Sequence, residues 1–257
     1  MTENEPGAQL KTARQDGILT LTLDRPTKRN ALSSALITAL DAALAQAELD
    51  AEVRVVALRG AGKDFCAGVD LAELLGSAGQ SLAENEAAAL RLGELFLRIR
   101  RLPKPVVALV HGRALAGGAG LATACDLVLA TASSQFGYPE IQRGFVPAMV
   151  MTMLRRHVGE KVAFDLVATG RLLDSAEALA AGLISRVIGD PEFGASTEAL
   201  LTQLAATSVS AMALTKRQLY ELDGLSFEEG IRLGARVNAL ARAHPDFRES
   251  IAAFLGP

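Results

Sequence analysis

The apolar positions of this chain change period several times along its length. Residues 18–26, "ILTLTLDRP", alternate Leu19, Leu21 and Leu23 with Thr20 and Thr22, the two-residue period of a half-buried strand closed by a turn at Pro26. In "NALSSALITALDAALAQAELD" the residues Leu32, Leu36, Ile37, Leu40 and Leu44 share one face, which predicts an amphipathic helix starting near Asn30 or Ser33. Residues 53–60, "VRVVALRG", and 104–112, "KPVVALVHG", are strand-length segments built around the apolar runs 55–58 and 106–110, each ending in glycine. Between them lie a turn, a short helix and a helical stretch over about 81–102. A further strand starts at Asp126 and turns into Glu140, and residues 171–188 predict helix, turn and strand, with Asp174 or Ser175 as cap and Gly182 as stop.

Strands alternating with helices argue for an α/β fold with crossover connections. From about Pro191 the helical period runs almost without interruption to the end. This divides the chain into a core over 1–190 and a C-terminal helical region over 191–257, whose apolar faces need the core or another subunit to cover them.

Composition narrows the function. At 257 residues and 50% hydrophobic, the chain has ample material for a buried core. A net charge of −3 without a Lys/Arg run gives no reason to expect nucleic acid as a partner. No apolar run reaches the ~18 residues of a membrane span, and the polar N-terminal "MTENEPGAQLKTARQDG" has no apolar signal-peptide core. Cys66 and Cys125 sit in apolar contexts and read as reduced core residues of a cytoplasmic protein. His111, His157 and His244 are too scattered for a histidine metal site, and no metal is expected.

Two stretches invite chemistry. "KDFCAGVDL" and "RALAGGAGL" are strand-to-helix turns carrying small residues beside glycine. Glycine costs a helix about 1 kcal/mol relative to alanine, so three within four residues imply a need for bare backbone. Two such turns facing each other can direct one N–H each at a single oxygen, an oxyanion hole. Gly118 and Gly120 also have a G-x-G form, but Thr123 occupies the third glycine position of a dinucleotide-binding turn.

Five ordered blocks, "LDRPTKRNALS", "GAGKDFCAGVDL", "KPVVALVHGRALAGGAGLATACDLVLA", "FGYPEIQRGFVP" and "FRESIAAFL", resemble the enoyl-CoA hydratase/isomerase (crotonase) superfamily over nearly the whole chain. The resemblance implies a crotonase-like spiral of ββα turns with a helical C-terminal region that builds trimers, often paired into hexamers. It implies acyl-CoA thioester substrates, with coenzyme A belonging to the substrate and no further cofactor, and a thioester enolate held by backbone amides. By motif position those amides belong to Ala67 and Gly117. Gly68, Val69, Asp70 and Leu71 line the path of the coenzyme, Lys28, Arg29 and Ala31 lie near it, and Gly118, Gly120 and Pro139 join the substrate-binding set.

Family hydratases hold water between two glutamates. The second corresponds to Glu140; the first falls at Gly120 and is absent. Beside apolar "GFVPAMV", Glu140 should be partly desolvated and its pKa raised. The reading is an enoyl-CoA hydratase with Glu140 as acid/base. A Δ3,Δ2-enoyl-CoA isomerase using the lone Glu140 and a non-catalytic acyl-CoA-binding paralogue stay open. Glu73, Glu84 or Glu86 are candidate stand-ins for the missing carboxylate; Arg143 is either a contact for a second substrate carboxylate or a surface residue, and Glu140 could instead be a structural ion-pair partner of Arg143 or another base. His111 is expected to be structural, Asp126 to support a turn, and Asp70 either to cap a helix or to hold the coenzyme segment.

Overall fold

A computed structural model describes residues 9–256; the first eight residues of the polar N-terminal stretch and Pro257 lie outside the described residues. Strands β1 (Leu10–Gln15) and β2 (Ile18–Leu23) form a hairpin whose two loop residues, Asp16 and Gly17, both have positive φ (49° and 78°). That is the Asp-Gly geometry that matches the twist of antiparallel strands. Helix α1 (Ser34–Leu49) follows, with Ser33 as its cap: the Ser33 hydroxyl accepts from Leu36 N at 3.1 Å.

The main sheet has six strands in the order β1-β2-β3-β4-β6-β9, parallel from β2 onward, with β3 at Val55–Gly60, β4 at Val106–Val110, β6 at Leu127–Thr131 and β9 at Arg186–Ile188. Its centre is apolar on both faces, which is why β3 and β4 are continuous apolar runs. Val56, Leu58, Val106, Ala108 and Val110 enter the large core, where α3 (Leu82–Arg101) packs against both α1 and α4 (Gly117–Ala124). Val55, Ala57, Val107, Leu109 and Leu129 face the other way and are covered by Leu200 and Leu201 of α8 (Phe193–Ala205).

A second sheet of three short strands, β5 (Arg113–Leu115), β7 (Gln135–Gly137) and β8 (Leu172–Asp174), stands beside the first. Strands β4–β5 and β6–β7 each step from one sheet to the other before a helix, the ββα spiral. Helices α5 (Ala148–His157) and α6 (Glu160–Thr169) follow β7, and Asp174 caps α7 (Ser175–Ala180) by accepting from Glu177 N at 2.8 Å. Beyond α8 come α9 (Val209–Glu221), α10 (Phe227–Ala243) and α11 (Pro245–Leu255). No helix of the described residues is long and apolar enough to cross a membrane.

Helix α9 is tied to the core by a buried polar cluster. Lys216 Nζ donates to the carbonyls of Ile99 and Lys104 at 2.8 and 2.9 Å and to Asp126 Oδ2 at 2.7 Å. Asp126 also accepts from Val106 N at 2.6 Å and from the Tyr220 hydroxyl at 2.7 Å. Asp126 therefore does more than support a turn: it joins two elements ninety residues apart.

Candidate active site

Three chain segments lie side by side at the edge of the second sheet. Ala114 of β5 pairs with Cys66 on one side and with Phe136 of β7 on the other. Leu115 N donates to Cys66 O at 3.0 Å, and Ala116 N to Gly137 O at 2.8 Å. Three or four residues beyond this aligned row come Val69, Gly117 and Glu140, one from each segment. Strand register brings Val69 and Gly117 together without any polar side-chain contact.

The opening glycines of α4 serve different needs. A Cβ on Gly118 would lie 2.3 Å from Cys66 O, so only glycine lets the two turns approach this closely. A Cβ on Gly117 would lie 3.5 Å from Val69 N and 3.3 Å from Val69 Cγ2, which places the two turns' backbones in contact. Gly68 sits at φ +99° and Ala116, the residue before the helix, at φ +52°. Backbone held in such sparsely populated regions concentrates at functional sites.

Hydrogen bonding corrects one expectation. The Ala67 amide donates to Arg29 O at 3.0 Å and is committed to holding the loop of residues 26–30. Val69 N–H forms no hydrogen bond among the described residues, since its isolated bridge to Leu32 uses Gly68 O and Asp70 N instead. Gly117, at the first position of α4, likewise has no intrahelical acceptor for its N–H. Val69 and Gly117 thus each present an unpaired amide where the two turns meet, whereas the Ala67 amide is taken.

Glu140 lies in a single 3-10 turn, Pro139–Arg143, that follows β7, and is 9% exposed. Its Oε2 is buried without a hydrogen-bond partner. Burial pushes its pKa above the usual glutamate value, offset in part by its own backbone amide and by the Arg143 charge. Arg143 is exposed and reaches Pro139 O at 3.5 Å; it forms no salt bridge with Glu140.

The place of the absent first glutamate is filled. A Cβ on Gly120 would lie 2.3 Å from Val150 Cγ1, 3.0 Å from Val150 Cβ and 3.1 Å from Phe96 Cζ. The position is therefore apolar and closed, not a vacant socket for a carboxylate. Two of the three candidate replacements are committed elsewhere. Glu73 accepts from the amide and hydroxyl of Ser34 at 2.8 and 2.9 Å, and Glu84 forms a capping box with Ser81 at the start of α3.

The remaining candidates divide between exposed and structural positions. Lys28 and Arg29 are exposed, and Ala31, Val69 and Pro139 are half-buried. Leu71 opens α2 (Leu71–Gly76) and is exposed, while Gly68, Gly117, Gly118 and Gly120 are buried. Asp70 caps α2 through Ala72 N at 3.0 Å and is held by Arg25 at 2.8 Å, whose hydrogen bond keeps its carboxyl below the usual aspartate range. His111 Nε2 lies 2.9 Å from Gly62 O, a structural contact. Cys66 is buried beside Asn30 O at 3.1 Å, and burial pushes its thiol up to about 12, so it is inert at neutral pH.

Sequence reasoning missed three residues. Asn30, fully buried at φ +55°, braces the site loops by donating to Ala61 O and Asp64 O at 2.8 and 2.7 Å. Val150 was invisible as the occupant of the Gly120 position. The Tyr138 hydroxyl is the third, buried with no hydrogen-bond partner. Two clefts, of about 770 and 900 Å³, open elsewhere on the chain, and neither is lined by Glu140, Val69 or Gly117. The first reaches Phe96 from between α3, α5 and α9.

The paired turns on a ββα spiral define the architecture, and comparison with known proteins gives the family. Residues 13–256 match the family model described as enoyl-CoA hydratase/isomerase. A Thermus thermophilus protein provisionally named as an enoyl-CoA hydratase is 44% identical over 90% of this chain and 92% of its own. The 2,3-dehydroadipyl-CoA hydratase of Escherichia coli is 33% identical, with 96% of each chain covered. The crystal structure of an enoyl-CoA hydratase from Mycobacterium smegmatis superposes with a TM-score of 0.93 at 34% identity, covering 96% of both chains. The chain belongs to the enoyl-CoA hydratase/isomerase family.

Proposed function

We propose that the protein hydrates 2-enoyl-CoA thioesters, with Glu140 as the single acid/base and the Val69 and Gly117 amides as the oxyanion hole. The observation that carries this reading is a buried carboxylate with one unpaired oxygen, in the turn that follows the strand beside two unpaired amides. Charge that develops on the thioester oxygen is stabilised by both N–H groups, each such donor being worth about 2.7–4 kcal/mol in the transition state. Glu140 takes a proton from water as the oxygen attacks C3 and delivers a proton to C2. A raised pKa suits it to both steps near neutral pH. The names of the relatives support hydration over double-bond migration.

In this reading Gly68, Val69, Asp70 and Leu71 line the coenzyme path beside Lys28, Arg29 and Ala31. Coenzyme A arrives as part of the substrate, and neither metal nor other cofactor takes part. The enzyme works in the cytoplasm as a trimer or a pair of trimers. Support for assembly comes from Phe227, Ile231 and Phe254 of α10 and α11, which lie 88, 61 and 86% exposed.

The test is incubation with 2-enoyl-CoA and 3-enoyl-CoA. Expected is the 3-hydroxy product from the former, with Glu140→Gln lowering the rate by about 10²- to 10⁴-fold. Double-bond migration alone assigns the isomerase instead. A thermal shift by acyl-CoA with no turnover assigns the non-catalytic binder.

A further inference from the structure

Among the described residues only two buried side-chain polar atoms lack a hydrogen-bond partner: Glu140 Oε2 and the Tyr138 hydroxyl. They belong to residues two apart in one turn. Buried polar groups are nearly always paired, so two exceptions so close in the chain call for a common explanation. A water needs two or more polar partners to occupy a buried site, and these two atoms are the ones available.

The position of Tyr138 adds to this. Its side chain is fully buried, directly before the 3-10 turn that carries Glu140. Thr123 stands beside the phenol, too poorly placed for a full hydrogen bond to its hydroxyl, and this weak polar contact partly offsets the effect of burial on it. Thr123 sits three residues after Gly120, hence on the same face of α4. This is the face from which paired-carboxylate relatives, by the resemblance above, present their first glutamate. Val150 and Phe96 close that place to a side chain from position 120, and the Thr123 hydroxyl donates back to Ala119 O at 2.9 Å.

We infer that the Tyr138 hydroxyl holds the attacking water opposite Glu140, in the role of the absent glutamate. This rests on the hydratase reading. The water gives one proton to Glu140 and hydrogen-bonds through the other to the phenol oxygen, while its lone pair forms the bond to C3. The C2–C3 π pair moves toward the thioester oxygen and returns to C2 with the proton from Glu140. Tyr138 starts and ends protonated; burial and the Glu140 charge both push its pKa up, so it orients the water without titrating. It is a positioning residue, and no oxidant or further reactant is needed.

The test is Tyr138→Phe, which removes one oxygen and keeps the ring. Two reactions are followed: hydration of a 2-enoyl-CoA, and exchange of the α-hydrogen of a saturated acyl-CoA with D2O, which uses Glu140 and the amides but no attacking water. Expected is a fall in hydration kcat of about 10- to 100-fold, with KM and α-exchange within about threefold and Tm unchanged or higher. Loss of exchange in parallel with hydration would make Tyr138 a support for Glu140 and overturn the inference, as would hydration within twofold of the parent. Should Tyr138→Phe not fold, Thr123→Val supplies the same comparison, with a severalfold loss confined to hydration. A parent enzyme that exchanges α-hydrogens but never adds water refutes the hydratase reading by itself, and the water-holding role with it.

Discussion

Replacing Gly120 by glutamate restores on paper the pair of carboxylates that family hydratases use, and the structure predicts that the substitution fails. The new Cβ would stand 2.3 Å from Val150 Cγ1 and 3.1 Å from Phe96 Cζ, inside van der Waals contact before the carboxylate is reached. Overpacking of a closed core costs about 1–3 kcal/mol, and a buried polar group without a partner adds about 1–3 kcal/mol. A total near 4 kcal/mol lowers Tm by roughly 8–16 °C in a chain of this size. Val150 is 3% exposed, and Val150→Ala alone should cost about 2 kcal/mol in lost burial and cavity. If the two changes were independent, the double variant would lose about 6 kcal/mol. Because Val150→Ala removes the clashing methyl, the double variant should be no less stable than Gly120→Glu. That is a coupling of at least ~2 kcal/mol. Thermal unfolding of the four proteins reads this directly, and hydration should rise only in the double variant. A single Gly120→Glu protein with parental Tm, or strictly additive losses, would refute the claim that Val150 occupies the glutamate's place.

Two further outcomes follow from buried charge. Because the folded state raises the Glu140 pKa, the native chain holds a proton that the unfolded chain has released, so this residue lowers stability progressively as pH rises above about 4.5. Glu140→Gln should therefore match the parent near pH 4 and exceed its Tm at pH 7 while losing turnover; equal Tm values at both pH values would show that the carboxyl is not desolvated. Lys216→Met leaves the half-buried Asp126 without its cation and should cost up to about 3–5 kcal/mol, a Tm fall of roughly 6–20 °C. A loss under 1 kcal/mol in denaturant titration would show that α9 does not depend on this cluster.

Much of the fold was legible because burial leaves a periodic trace. Strands β3 and β4 stand out as apolar runs since both faces are covered, and Ser33 announces α1 as a hydroxyl ahead of an amphipathic run. Strand β1 was missed for the opposite reason: of its six residues only Leu10 is buried, although Asp16-Gly17 carried the hairpin signal. The three-residue strands β5, β7 and β8 are too short to show any period, yet they set the register of the site. Glu140 was legible through its block. The choice between Ala67 and Val69 was not, because hydrogen-bond commitment of a backbone amide leaves no mark on side-chain identity. Nor could one sequence show that Val150, thirty residues on, fills the space at Gly120.

The filled position at Gly120 also changes what controls Glu140. In a site with two carboxylates each raises the other's pKa, and protons leave in steps that belong to the pair. Here the influences on Glu140 are burial, its own amide and Arg143, with no second carboxylate among them. Packing Val150 and Phe96 where a charge would stand removes like-charge repulsion and leaves desolvation as the means of raising the pKa. On the proposed mechanism the same substitution of apolar atoms for a charge would leave the water one anchor short, and Tyr138 of the nearest turn would supply a phenol that does not titrate. On that mechanism a lone carboxylate and a neutral phenol would divide between them the proton transfer and the positioning that two glutamates would otherwise share.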